Sequence, residues 1–173
     1  ARQMAGRVRD DRMTPIRKGA VRASPESGAT GSGSSGLDNE GKFHIDTLGK
    51  GTFRVEADAR RNTPTGQHRV RWRFENISPT GGQGNIVLTV PFNGVIEGRV
   101  YEPDTGNPPP NYRVRVSGHY YDSTGRRWGF GSAHNFKGDE TFRFESLPPG
   151  TYTVRASASG YLPAESDEIE VQS

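Results

Sequence analysis

Two stretches of this chain repeat each other at a fixed distance, and such a repeat restricts a sequence to a small set of folds. Phe43 recurs as Phe142, Leu48 as Leu147, Gly51-Thr52 as Gly150-Thr151 and Ala59 as Ala158, each pair 99 positions apart. The opening Gly6-Arg7-Val8 recurs as Gly98-Arg99-Val100 at a distance of 92, so the second copy holds seven extra residues. Each copy closes on an alternating segment, Asn85 to Val90 and Glu168 to Val171. The copies meet near Asn93-Gly94, which divides the chain into modules 1–92 and 93–173.

The segments inside each copy alternate with a period of two, the signature of a half-buried strand. Val70, Trp72 and Phe74 interleave with Arg69, Arg71 and Arg73, and Val114 and Val116 lie between Arg113 and Arg115. Both segments are predicted as strands with an arginine-bearing outer face. Gly and Pro fill 23 and 12 of the 173 positions, which opposes helices and suits short strands joined by turns. With only 30% apolar residues, two small sandwiches are expected rather than one large core. Leu48-Gly49-Lys50-Gly51 and Leu147-Pro148-Pro149-Gly150 read as turns whose leucine plugs one end of each core. Residues 27–36, 63–68 and 78–84 read as loops.

The opening Gly-x-Val, the segment around Pro15, Ile16, Ala20 and Val21, the Gly-x-Phe at Gly41 to Phe43, and Leu-x-x-Gly-x-Phe/Tyr-x-Val in both copies together resemble carboxypeptidase regulatory-like domains. These are similar to transthyretin-like and collagen-adhesin B-type sandwiches. The resemblance implies an all-β chain of two tandem, seven-stranded, Greek-key sandwiches of prealbumin or immunoglobulin-like type. It also implies a structural or binding role at the cell exterior. Collagen-adhesin repeats often carry a lysine–asparagine isopeptide bond assisted by an acid. The matching positions here are Ala57 and Ala156, and the opening strands offer no lysine, so no such staple is expected. The transthyretin-like hydrolases end in Tyr-Arg-Gly-Ser, whereas this chain ends Glu170-Val171-Gln172-Ser173, and their activity is not implied.

Motifs for chemistry are sparse. The absence of cysteine excludes disulfides, thiolate zinc sites and thiol nucleophiles. His44, His68, His119 and His134 lack metal-ligand spacing and are expected on the surface or in turns. Asp38 to Gly41 and Asp122 to Gly125 do not fit a calcium loop and read as hairpin turns. There is no nucleophile elbow, phosphate loop or zinc motif, so no catalytic residue, metal or cofactor is assigned. One segment stands out in the longer second copy: Tyr120 and Tyr121 face Arg126, Arg127, Trp128 and Phe130 across a turn. Such a hairpin either recognises a sugar or a neighbouring subunit, or packs its alternate members into the core. Asn76-Ile77-Ser78 fits an N-glycosylation acceptor.

The net charge of +3 conceals a split: residues 1–92 carry 15 basic and 9 acidic groups, or +6, whereas 93–173 carry 8 and 11, or −3. Complementary modules favour head-to-tail association of copies of the chain, with a glycan as a further candidate partner. Acidic residues interrupt the arginine rows, so nucleic acid is not expected as a partner. No apolar run reaches the roughly 18 residues of a membrane span.

Overall fold

A computed structural model describes residues 2–79 and 86–172. Residues 1, 80–85 and 173, which include Asn85 and most of the loop expected over 78–84, lie outside the described residues. The first module contains β1 (Arg2–Asp10), β2 (Lys18–Pro25), β3 (Gly33–Gly36), β4 (Lys42–Leu48), β5 (Phe53–Thr63), β6 (Gly66–Ile77) and β7 (Ile86–Val90). The second contains β8 (Gly94–Gly98), β9 (Asn111–Tyr121), β10 (Arg127–Lys137), β11 (Phe142–Leu147), β12 (Gly150–Ser157), β13 (Ala164–Glu165) and β14 (Ile169–Val171). The fold is all-β, and among the described residues no helix is long and apolar enough to cross a membrane.

In the first module a sheet ordered β4-β1-β7 faces one ordered β3-β2-β5-β6. In the second, β11-β8 faces β10-β9-β12-β13, with β14 also on β12. Each named strand pairing lies within one module. The sequence repeat is a repeat of register: Gly6 sits opposite Phe43 and Arg2 opposite Leu48, just as Gly98 sits opposite Phe142 and Gly94 opposite Leu147. Gly98 has a steric reason, since a Cβ there would come within 2.7 Å of the Phe142 ring. Leu48 and Leu147 are both buried, as expected of core plugs.

The copies differ where the seven extra residues fall. β2 and β3 have 8 and 4 residues, whereas their counterparts β9 and β10 have 11 each. The resulting long hairpin reaches back onto the first module. The buried apolar side chains of both modules form one connected cluster, from Met4 to Val171, where two separate small cores were expected; β10 packs on β6, and β11 on β5 and β6.

Three tight turns share one construction. Asp38 Oδ1 accepts the N–H groups of Glu40 and Lys42, and Asp122 Oδ1 accepts those of Thr124 and Arg126. Gly41 and Gly125 take positive φ of 74° and 83°. The Asp122 turn joins the paired strands β9 and β10 and is the expected hairpin turn. The Asp38 turn instead joins β3 and β4, which lie in different sheets, and is a corner between the sheets. In both the Asp side chain imitates a backbone acceptor. Asp10 builds the same turn by accepting from Arg12 and Thr14, but the left-handed position holds Met13, at φ 67°. Met13 is exposed and packs little, so its strain has no evident compensation. Met13→Gly is therefore expected to raise the unfolding free energy by about 0.5–1 kcal/mol, after allowing for the entropy of an extra glycine in the unfolded chain. Urea denaturation checks this, and a loss of stability would contradict the equivalence of the three turns.

Candidate functional site

A cluster of part-buried polar contacts lies where the modules meet. Arg61, near the end of β5, reaches three parts of the chain. Its Nη2 donates to Asp10 Oδ2 at 2.8 Å, and its Nη1 donates to Phe92 O, Asn93 Oδ1 and Ser146 Oγ at 3.0, 3.3 and 3.2 Å. The guanidinium also lies 4.9 Å from the centroid of the Phe92 ring. Asn93 in turn donates to Asp11 Oδ1 at 2.6 Å. Burial raises the Asp10 carboxyl pKa, but the Thr14 N–H, the Arg61 guanidinium and the Arg12 N–H together hold it below its usual 3.8. Asp10 is thus ionised, buried and paired.

His68 forms the second element. Strand parity puts it on the same side of β6 as Val70, Trp72 and Phe74, and it is 2% exposed, in contrast to the surface placement expected of the histidines. Nδ1 lies 2.7 Å from Glu145 O, a carbonyl, so it carries the proton; Nε2 then accepts from Ser132 Oγ at 3.0 Å. The ring meets Phe130 edge-on at 5.3 Å between centroids. Burial drives the imidazole pKa below its usual 6.5, partly opposed by the bonds to Glu145 and Ser146 and by the Glu145 charge.

The third element is the aromatic hairpin. β6 is an edge strand, and its outward N–H and C=O groups need partners or water. Tyr120 Oη accepts from Arg71 N–H at 2.8 Å and donates to Arg71 O at 3.3 Å, while Ser123 Oγ donates to Arg73 O. Tyr120 also stacks on Trp72, with centroids 6.1 Å apart and rings 2° from parallel. Burial pushes the Tyr120 phenol up to about 12, so it stays protonated and able to donate. The hairpin side chains therefore serve the edge of the first module as a neighbouring strand would.

The six singled-out hairpin residues divide by face. Tyr120 and Phe130 are buried, Phe130 between His68 and Tyr152. Trp128 is half-buried: its Nε1 donates to Asp122 Oδ2 at 2.9 Å, and the Arg71 and Arg126 guanidinium groups lie over its ring at 5.4 and 4.2 Å. Tyr121, Arg126 and Arg127 are exposed, and Arg127 Nη2 lies 3.3 Å from His119 Nδ1. Asn76 is exposed at positive φ, with its N–H donating to Glu26 Oε1. Among the described residues no group of three His, Cys, Asp or Glu side chains is placed to hold a metal.

Sequence reasoning missed two features. His68 could have been found from its parity with Val70 and Trp72. A groove of about 490 Å³, lined by Val100, Tyr101, Pro103, Ala158, Tyr161 and Leu162, joins two loops with no shared pattern and left no such signal.

Residues 95–173, nearly the whole of the second module, match the family model of the carboxypeptidase regulatory-like domain. The first module lies outside the match but repeats its register. Among solved structures, the chain is similar to the Bacillus anthracis TIE protein, at 16% identity and a TM-score of 0.37, over 99% of this chain and 31% of that one. It is also similar to a streptococcal ancillary pilin, at 13% identity and a TM-score of 0.42, over 97% and 58%. A DUF3823 family protein from Parabacteroides merdae matches at 14% identity and a TM-score of 0.34, over 99% and 98%. The chain thus spans about a third and somewhat over half of the first two. These are likenesses of fold alone. No curated protein sequence matches the chain.

The junction makes a prediction about pH. The folded chain holds the His68 proton less readily than the unfolded chain, so the stability present above pH 6.5 is lost progressively as pH falls below it. Asp10 and Asp122, both held below their usual 3.8, add a second loss below that value. Denaturation midpoints across pH 3–8 should show both windows, and His68→Gln should remove only the upper one. An upper window unchanged in that variant would contradict the assignment.

Proposed function

We propose that this chain is a non-enzymatic structural module of an extracellular or cell-surface assembly, a stiff two-module spacer whose copies associate head to tail. The observation that carries the reading is the junction. Arg61 ties the first module to Phe92, Asn93 and Ser146, His68 is held by two strands of the second module, and the hairpin caps β6. Tandem modules that need only be tethered would be joined by a polar, exposed linker. Here Phe92 and Gly94 at the connection are buried.

The polar groups with the strongest structural reason to be called special are also occupied. Asp10, His68, Tyr120 and Asp122 each spend their hydrogen bonds on backbone groups or on fixed neighbours. This is the arrangement of a support and not of a reacting centre, which needs groups free to meet a substrate.

Head-to-tail association is supported by charge. The first module is basic, and the acidic run Glu165, Asp167, Glu168 and Glu170 near the other end of the chain is wholly exposed. Contacts between unlike surfaces that do not close extend into a fibre. The exterior placement rests on the family resemblance of the modules.

Small-angle scattering of purified protein across a salt series tests the reading. A monomer of fixed shape at high salt, with mass rising with concentration at low salt, is expected. A spread of inter-module distances would contradict the spacer, and a constant monomer mass at low salt would contradict the association.

A further inference from the structure

We infer that the outer face of the four-stranded sheet carries a binding site for one sulfate or phosphate group, completed by the second module. Register places Arg22 opposite Glu56 and Glu56 opposite Arg73, a row across β2, β5 and β6, with Ser24 opposite Arg54 in the next row. Arg126, from the turn of the aromatic hairpin, closes the group. These six residues line a depression of about 120 Å³. That is roughly four times the share of liquid volume taken by one water, about 30 Å³, and has room for a single oxyanion.

Four arginines and one glutamate line the depression, a net charge of +3 among the lining residues. The neighbouring Asp58 shows how this sheet treats its other arginines: it pairs with Arg60 and Arg69 at 3.3 and 2.7 Å. Among the described residues none of Arg22, Arg54, Arg73 and Arg126 makes an ion pair. Arg73 Nε is moreover buried with no hydrogen-bond partner. A buried donor of a charged group left unpaired is costly, and like charges gathered in one depression repel, so a bound oxyanion relieves both penalties. Guanidinium forks match the oxygen geometry of sulfate and phosphate.

The surrounding residues narrow the ligand. Trp72 and Phe74 share the opposite parity on β6, and the Trp128 ring is covered by Arg71 and Arg126, so the depression offers no platform on which a base would stack. Ser24 and Glu56 can instead bond to hydroxyl groups beside the anion. The chemistry is that of an oxyanion, free or carried on a saccharide. Since Arg126 belongs to the second module and the other five residues to the first, an anion bound here also bridges the junction.

Calorimetric titration at constant ionic strength tests the site, with sodium sulfate and inorganic phosphate as probes. One saturable site per chain is expected, weakened at least tenfold in Arg54→Gln, whose side chain is exposed and whose loss should not disturb folding, and unchanged in Arg155→Gln. Equal binding in all three proteins, or no saturable binding, would overturn the inference. Dextran sulfate binding more tightly per sulfate group than the free ion would identify a saccharide as the carrier, and equal binding would identify the free anion. Neither result depends on self-association, which scattering reads separately.

Discussion

The fold of the whole chain depends on where Arg61 is. A single guanidinium answers the buried Asp10 carboxylate of the first module, the carbonyl of Phe92 in the connection and the Ser146 hydroxyl of the second. Asp10 is 3% exposed at its side chain and Arg61 24%, so neither charge is left to bulk water. Such a pair contributes little against an apolar substitute, but removing one member strands the other and costs about 3–5 kcal/mol. Its value is positional: it fixes the path of the chain at the point where one sandwich ends and the next begins.

The edge of β6 follows from the same placement. Once the modules are set against each other, the extended β9–β10 hairpin lies along a strand edge that would otherwise be open to pairing with another chain. Tyr120 and Ser123 satisfy Arg71 and Arg73 through side chains instead of a ladder. The longer hairpin of the second copy thus covers one edge of the first sandwich, while Arg61 and the packing of β11 on β5 and β6 join the two bodies beside it. The same approach brings Arg126 to the arginine row of the first module, where the oxyanion site is inferred.

Much of this was legible in the sequence, for physical reasons that can be named. The spacing of Gly6, Phe43 and Leu48 against Gly98, Phe142 and Leu147 is a record of strand register, because a one-residue slip would turn every core side chain outward. Asp38 and Asp122 announce their turns through the glycine three places on. Asp10 builds the same turn without that glycine, so the local signal is lost at Met13. The Arg61 contacts join positions 51 and 85 residues apart through side chains, and no periodicity reports such contacts. The aromatic hairpin was visible as a feature, but which of its residues would be buried depended on a surface that only the folded first module supplies.

The central claim is that the two sandwiches behave as one cooperative unit. Scanning calorimetry tests it most directly, by comparing the measured unfolding enthalpy with the van't Hoff enthalpy of the same transition. A single transition with the two enthalpies equal is predicted for the intact chain at neutral pH. Two resolved transitions, or a calorimetric enthalpy about twice the van't Hoff value, would show modules that unfold independently and would contradict the account.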